Sequence, residues 1–129
     1  MKINGIQFDS IYESDVYIEL VRRYGSKAIE THHKLLLKPE TEAFNELHWA
    51  VDFKVNYKGE VLYYEAKGLM TDVFKLKMEW LEWVNPEVYR RLFVVAPNSK
   101  RLSVSRRLSL PIERVITKAS IKSHSNVIL

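Results

Sequence analysis

The 129-residue chain contains no cysteine, which removes both a disulfide framework and a thiolate metal site and leaves carboxylates, histidines and backbone oxygens as the only metal ligands. The absence fits a reducing, intracellular compartment, and a cytoplasmic location is expected. Long hydrophobic runs are also missing. No stretch approaches the ~20 apolar residues that cross a bilayer, and MKINGIQFDS lacks the continuous apolar segment of a signal peptide, so no membrane partner is expected. Glycine is scarce, at four residues, and no Gly-rich phosphate loop occurs. There is no internal repeat and no low-complexity tract.

What is present suits one self-standing domain over residues 1–129, with 47% apolar residues and 12% aromatics available for a core. The net charge of +4 is unevenly spread. Residues 1–97 hold 13 Lys/Arg against 15 Asp/Glu, whereas residues 98–129 hold seven against one. A basic extension is therefore expected over about residues 98–129, carrying Lys100, Arg101, Arg106, Arg107, Arg114, Lys118 and Lys122, after a core over about residues 4–100. Such a cluster suits a polyanionic partner, although basic faces also serve solubility alone.

Ser10 and Glu13 form an S-x-x-E helix start, and Gly25 supplies the stop, which predicts a helix over 11–24. A strand is expected over 27–38, closed by Pro39, then a loop through TEAFNEL. HWAVDFKV, NYKG and EVLYYEAK read as a hairpin. Thr71 caps a second helix through Val84, ended by Asn85-Pro86. RLFVVAP suits a buried strand, IERVIT a further one, and KASIKSHSN an exposed tail. The order describes an α/β fold, a mixed β-sheet with a central antiparallel hairpin flanked by helices.

With Lys58 and Gly59 as the central turn residues, cross-strand partners have numbers that sum to 117, and Asp52 faces Glu65. Lys67 and Lys54 share their side, while Val51, Phe53 and Val55 against Leu62, Tyr64 and Ala66 form a core face. Facing carboxylates repel, and a divalent cation removes that penalty. Oxygen ligands select Mg²⁺, with Mn²⁺ able to substitute, so Asp52, Glu65 and the backbone carbonyl of Ala66 are the expected ligands. Lys67 then orients water or offsets charge on a phosphorane. The bland alternative is an exposed cluster of surface ion pairs worth roughly 0–1 kcal/mol each.

On helical spacing Glu13 lies inside the apolar stripe of Val16, Tyr17, Leu20 and Tyr24, the wrong side for a solvent charge. It is expected to complete the cap, to reach the metal, or both. Lys77 similarly falls within the stripe Val73, Leu76, Trp80, Leu81 and Val84, while Lys75 points outward; Lys77 is placed to hold a phosphate. No ligand role is expected for His32, His33 or His48, since neighbouring histidines on a strand point to opposite faces. Trp80 is expected to pack in the core, with Trp83 at its edge and available to a dimer interface.

VDF at 51–53 and EAK at 65–67 together resemble the PD-(D/E)xK nuclease superfamily, with Val51 where that pattern has proline. NGIQFDSIYE, EAKGLMTDVFKLK and RLFVVAP are similar to small phage-encoded endonucleases of the endonuclease I and Holliday-junction resolvase type. The resemblance covers about residues 4–100. It implies a restriction-endonuclease-like core, catalytic residues at Glu13, Asp52, Glu65 and Lys67, and Mg²⁺-dependent hydrolysis of DNA in a host cytoplasm. Lys75, Lys77, Lys100, Arg101, Arg106 and Arg107 are the expected DNA contacts. A junction resolvase implies a homodimer, and a nicking subunit of a transposase- or packaging-type complex implies a protein partner. A non-catalytic DNA-binding module on the same fold is the third option.

Overall fold

Ser10 takes extended backbone and accepts the Glu13 N–H at 3.0 Å, starting α1 (Ile11–Tyr24), which stops where the Gly25 N–H closes on the Val21 carbonyl. These are the ends that the serine cap and the glycine predict. The computed structural model describes residues 2–124. Before α1, Asn4 and Gly5 turn a small hairpin of β1 (Lys2–Ile3) and β2 (Ile6–Gln7).

Five further strands make one mixed sheet. β3 (Ile29–Lys38), β4 (Leu47–Tyr57) and β5 (Glu60–Ala66) run antiparallel. The β4–β5 turn places Lys58 and Gly59 at φ 51° and 81°, the left-handed pair that a tight two-residue hairpin requires. Register follows from that turn, with Phe53 opposite Tyr64 and Tyr57 opposite Glu60. The strand to turn boundary lies two residues later than NYKG suggests, because Asn56 and Tyr57 still pair with Val61 and Glu60.

From β5 the chain passes through α2 (Asp72–Val84) and the short α3 (Pro86–Arg90) to β6 (Leu92–Ala96), which lies parallel to β5. It then crosses α4 (Arg101–Leu108) to β7 (Val115–Thr117), parallel to β6. The sheet order is β3-β4-β5-β6-β7. Asn85, expected only to end α2, also caps α3 by accepting the Val88 N–H.

The sheet is buried on both faces. Val16, Tyr17, Leu20 and Tyr24 of α1 pack with Phe53, Val55, Leu62, Tyr64 and Val95 on one side. Phe74, Met78 and Leu81 of α2 and Val104 and Leu108 of α4 pack with Trp49, Val51, Tyr63 and Val94 on the other. A single core face with chemistry on the other is therefore not what forms. Val51 joins the α2 layer and Phe53 the α1 layer although they are two apart, so β4 changes the layer it feeds at Asp52. The neighbouring β3 has His32 in the left-handed region, φ 54°, directly across from that point, since Thr31 pairs with Phe53 and His33 with Val51. Alternation of faces presumes an unbroken pleat, and this pair of strands breaks it.

Two other expectations are corrected. The sheet-facing stripe of α2 is Phe74, Met78 and Leu81, at i, i+4 and i+7, while Val73, Leu76, Trp83 and Val84 are exposed. α2 is apolar over more than half its circumference, and the face carrying Phe74, whose ring meets Trp49 edge-on at 5.8 Å, is the one that closes on the sheet. Residues 118–123 are not an exposed tail but a 3₁₀ segment that inserts Ile121, fully buried, against the α1 layer. Ser125 and Asn126, the end of the stretch read as a tail, lie outside the described residues.

Candidate functional site

The β4–β5 ladder stops at Phe53 and Tyr64, and beyond that pair two acidic side chains replace the backbone bonds. Glu65 Oε1 accepts the Asp52 N–H at 2.9 Å, and Asp52 Oδ2 accepts the Ala66 N–H at 2.8 Å. Asp52 and Glu65 are thus brought together as the register arithmetic requires. Each carboxylate has a second oxygen left for a ligand after that bond.

The cost of this arrangement is visible in proton affinity. Burial, followed by the neighbouring Glu13 charge, pushes the Asp52 carboxyl up to about 6 from 3.8, against the lowering effect of the Ala66 N–H. Burial and the Asp52 charge hold Glu65 well above the ordinary carboxyl range, with Lys67 pulling the other way. Glu65 is 7% exposed. Two acids held this close share a proton unless a cation replaces it.

Lys67 follows directly. Its N–H bonds the Val95 carbonyl of β6 at 2.9 Å, and its ammonium lies 4.5 Å from the centre of the Phe74 ring, a cation–π contact that ties it to the start of α2. Tyr12 of α1 donates to the same Val95 carbonyl at 2.7 Å, fastening the first turn of α1 to the end of β6. A side chain at Gly68 would come within 3.8 Å of the Tyr12 ring.

Glu13 enters from α1, 7% exposed, and its Oε1 lies 3.1 Å from His32 Nε2. The cap and the inward carboxylate coexist, because Ser10 takes the Glu13 backbone N–H and the side chain turns to His32. Ligand atoms of Asp9, Glu13 and His32 all lie within 4.8 Å of one another, a spacing able to hold a metal ion. His32 was not expected here. The two histidines do diverge, His33 pairing with Glu30, but His32 reaches Glu13 from a left-handed backbone, φ 54°, and not from an unbroken strand. Asp9 lies within the FDSIYE stretch, four residues before Glu13, and that spacing across the cap was its only sequence signal.

The expected phosphate contacts separate. Lys100 and Arg107 line a cavity of about 370 Å³ with Gly68, Leu69, Met70, Ser103 and Val104. Lys75 and Arg107 line an adjoining cavity of about 350 Å³ beside Met70, Thr71 and Asp72. The two share Met70 and Arg107, so a cationic groove begins at the residue after Lys67. Lys77 sits half-buried about 160° around α2 from Lys75 and faces away from that groove. Arg101 donates to the Ile112 carbonyl at 3.5 Å and serves the packing of α4, while Arg106 is exposed.

No family model, curated protein or solved structure matches the chain. Among the described residues, no helix is long and apolar enough to cross a membrane.

Proposed function

We propose that this protein is a Mg²⁺- or Mn²⁺-dependent DNA endonuclease whose site is Asp52, Glu65, Lys67 and Glu13. The observation that carries the reading is the pair of half-buried Asp52 and buried Glu65, fixed across two strands by backbone N–H groups, with Lys67 two residues after Glu65. A proton-sharing carboxyl pair beside two more acids is a poor structural choice unless it binds a cation.

The donor set fits such an ion. Asp52, Glu65 and the Ala66 carbonyl offer hard oxygens, and Glu13, with Asp9 and His32, can extend the set toward α1. When bound, a divalent cation supplies charge to phosphate oxygens and acidifies water. The Lys67 ammonium, steadied over Phe74, is suited to hydrogen-bond the attacking water and to offset negative charge as it builds on phosphorus. Water adds to phosphorus, the bond to the 3′ oxygen breaks, and that oxygen takes a proton to leave a 3′-hydroxyl and a 5′-phosphate. Lys75, Lys100 and Arg107 offer contacts for the flanking backbone along the groove.

DNA as the substrate, and the restriction-endonuclease-like character of the core, rest on the resemblance of VDF and EAK to the PD-(D/E)xK pattern together with this groove. The test is cleavage of supercoiled plasmid and of a four-way junction with Mg²⁺ or Mn²⁺, compared with EDTA. Cutting with metal and none with EDTA is expected. Asp52→Ala, Glu65→Ala and Lys67→Ala should each abolish it, and wild-type-like activity in any one overturns the assignment.

A further inference from the structure

α2 carries a second apolar stripe that its own fold does not use. Val73, Leu76, Trp80 and Trp83 are spaced by three, four and three residues, the a and d positions of a heptad. Val73 is 62% exposed, Leu76 55% and Trp83 82%, with Trp80 half-buried, while Phe74, Met78 and Leu81 occupy the sheet. A continuous seam of this kind marks a docking face.

The charges beside the seam specify the occupant. Asp72 stands at the g position before Val73, and Lys77 stands at the e position after Leu76, five residues on. That is the g-to-e′ spacing between parallel helices, so two copies of α2 side by side would pair Asp72 of each with Lys77 of the other. In the antiparallel arrangement e faces e′ and g faces g′, which sets Lys77 against Lys77 and Glu79 against Glu79 and leaves Asp72 without a partner. Among the described residues, neither Asp72 nor Lys77 has an ion-pair partner in its own chain. A self-complementary patch of this sort is what a two-fold homodimer uses.

We infer that a second copy of this chain docks on α2 through Val73, Leu76, Trp80 and Trp83, with the two helices parallel and Asp72–Lys77 pairs on both flanks. Dimerisation stands apart from the nuclease reading. If that reading holds, parallel helices bring both Lys67–Gly68 segments, which precede α2, to the same end of the dimer and set two sites along one side.

Sedimentation velocity on the full chain tests this without any activity readout. The wild type should be a dimer at about 100 µM and dissociate on dilution. Leu76→Glu, at an exposed position, should be monomeric with an unchanged far-ultraviolet circular dichroism spectrum. Lys77→Asp should raise the dissociation constant about tenfold, and Asp72→Lys combined with Lys77→Asp should restore it. A monomeric wild type at that concentration overturns the inference, as does a dimer that survives Leu76→Glu. Failure of the charge exchange to restore association overturns the parallel pairing. Loss of DNA cleavage with dimerisation intact would instead count against the nuclease reading alone.

Discussion

The Asp52 backbone N–H donates to the Glu65 side chain at 2.9 Å, so a carboxylate stands where the antiparallel ladder would otherwise supply a carbonyl. The two variants of Glu65 should therefore part company. Glu65→Gln keeps an oxygen acceptor for that N–H while removing the charge; folding stability is expected to hold or rise without metal, and DNA cleavage to fall at least about 10²-fold. Glu65→Ala leaves the Asp52 N–H unpaired and should cost about 1–3 kcal/mol in urea unfolding as well as activity. Full cleavage by Glu65→Gln would remove Glu65 from the site.

Stability in EDTA should depend on pH with a sign opposite to that of most carboxylates. The folded protein keeps a proton on Asp52 up to about 6 that the unfolded chain gives up near 3.8, so the stability contributed by this group is complete below 3.8 and lost as pH rises through 6. Glu65, shifted in the same direction, prolongs the loss. His124 opposes them: burial, then the Arg23 charge, lower it from 6.5 to about 4, so its contribution is present above 6.5 and lost as pH falls through 4. The Tyr64 hydroxyl lies 2.7 Å from His124 Nδ1 in that buried setting. Thermal melts in EDTA should show the midpoint falling from pH 5 to pH 7 in the wild type and rising in an Asp52→Asn, Glu65→Gln double variant. Adding Mg²⁺ should abolish the fall. A wild-type midpoint that climbs across that range in EDTA would argue that the pair is not proton-sharing.

The groove beside Gly68 makes a separable prediction about charge. Lys75, Lys100 and Arg107 line its two adjoining cavities, whereas Arg106, next to Arg107 on α4, lines neither. Exchanging Lys100 or Arg107 for Gln should weaken DNA binding and lower the slope of log affinity against log salt by about 1 each. Arg106→Gln should change that slope least. Equal slopes for all three variants and the wild type would place the phosphate path elsewhere.

Local signals carried much of this fold, and long-range choices carried the rest. The Ser10 cap, Gly25 and the Lys58-Gly59 turn act within a few residues, so α1 and the Asp52–Glu65 register were legible from the chain alone. The Asn4-Gly5 turn was equally local and would have announced the first hairpin. Which stripe of α2 meets the sheet was not legible, because two apolar stripes compete and only the β5-to-β6 crossing decides between them. His32 was hidden for a related reason. Its approach to Glu13 depends on a left-handed residue in mid-strand, a break in periodicity that no pattern of apolar residues encodes. Ile121 offered little signal, a single large apolar residue among lysines, serines and an alanine, yet it is fully buried.

The Asp9–Glu13–His32 group sets a last prediction, about metal choice. An imidazole among carboxylates favours Mn²⁺ over Mg²⁺, so His32 should matter more to binding of the former. Replacement must respect the backbone. His32 has φ 54°, and asparagine tolerates that conformation far better than alanine, which makes His32→Asn the variant that least disturbs β3. Calorimetric titration should show His32→Asn losing about 10–100-fold in Mn²⁺ affinity, with a smaller change for Mg²⁺. Asp9→Asn should behave alike, since its ligand atom belongs to the same group. If both variants bind Mn²⁺ as the wild type does, the three residues are a structural brace for Glu13, and metal binding is confined to Asp52 and Glu65.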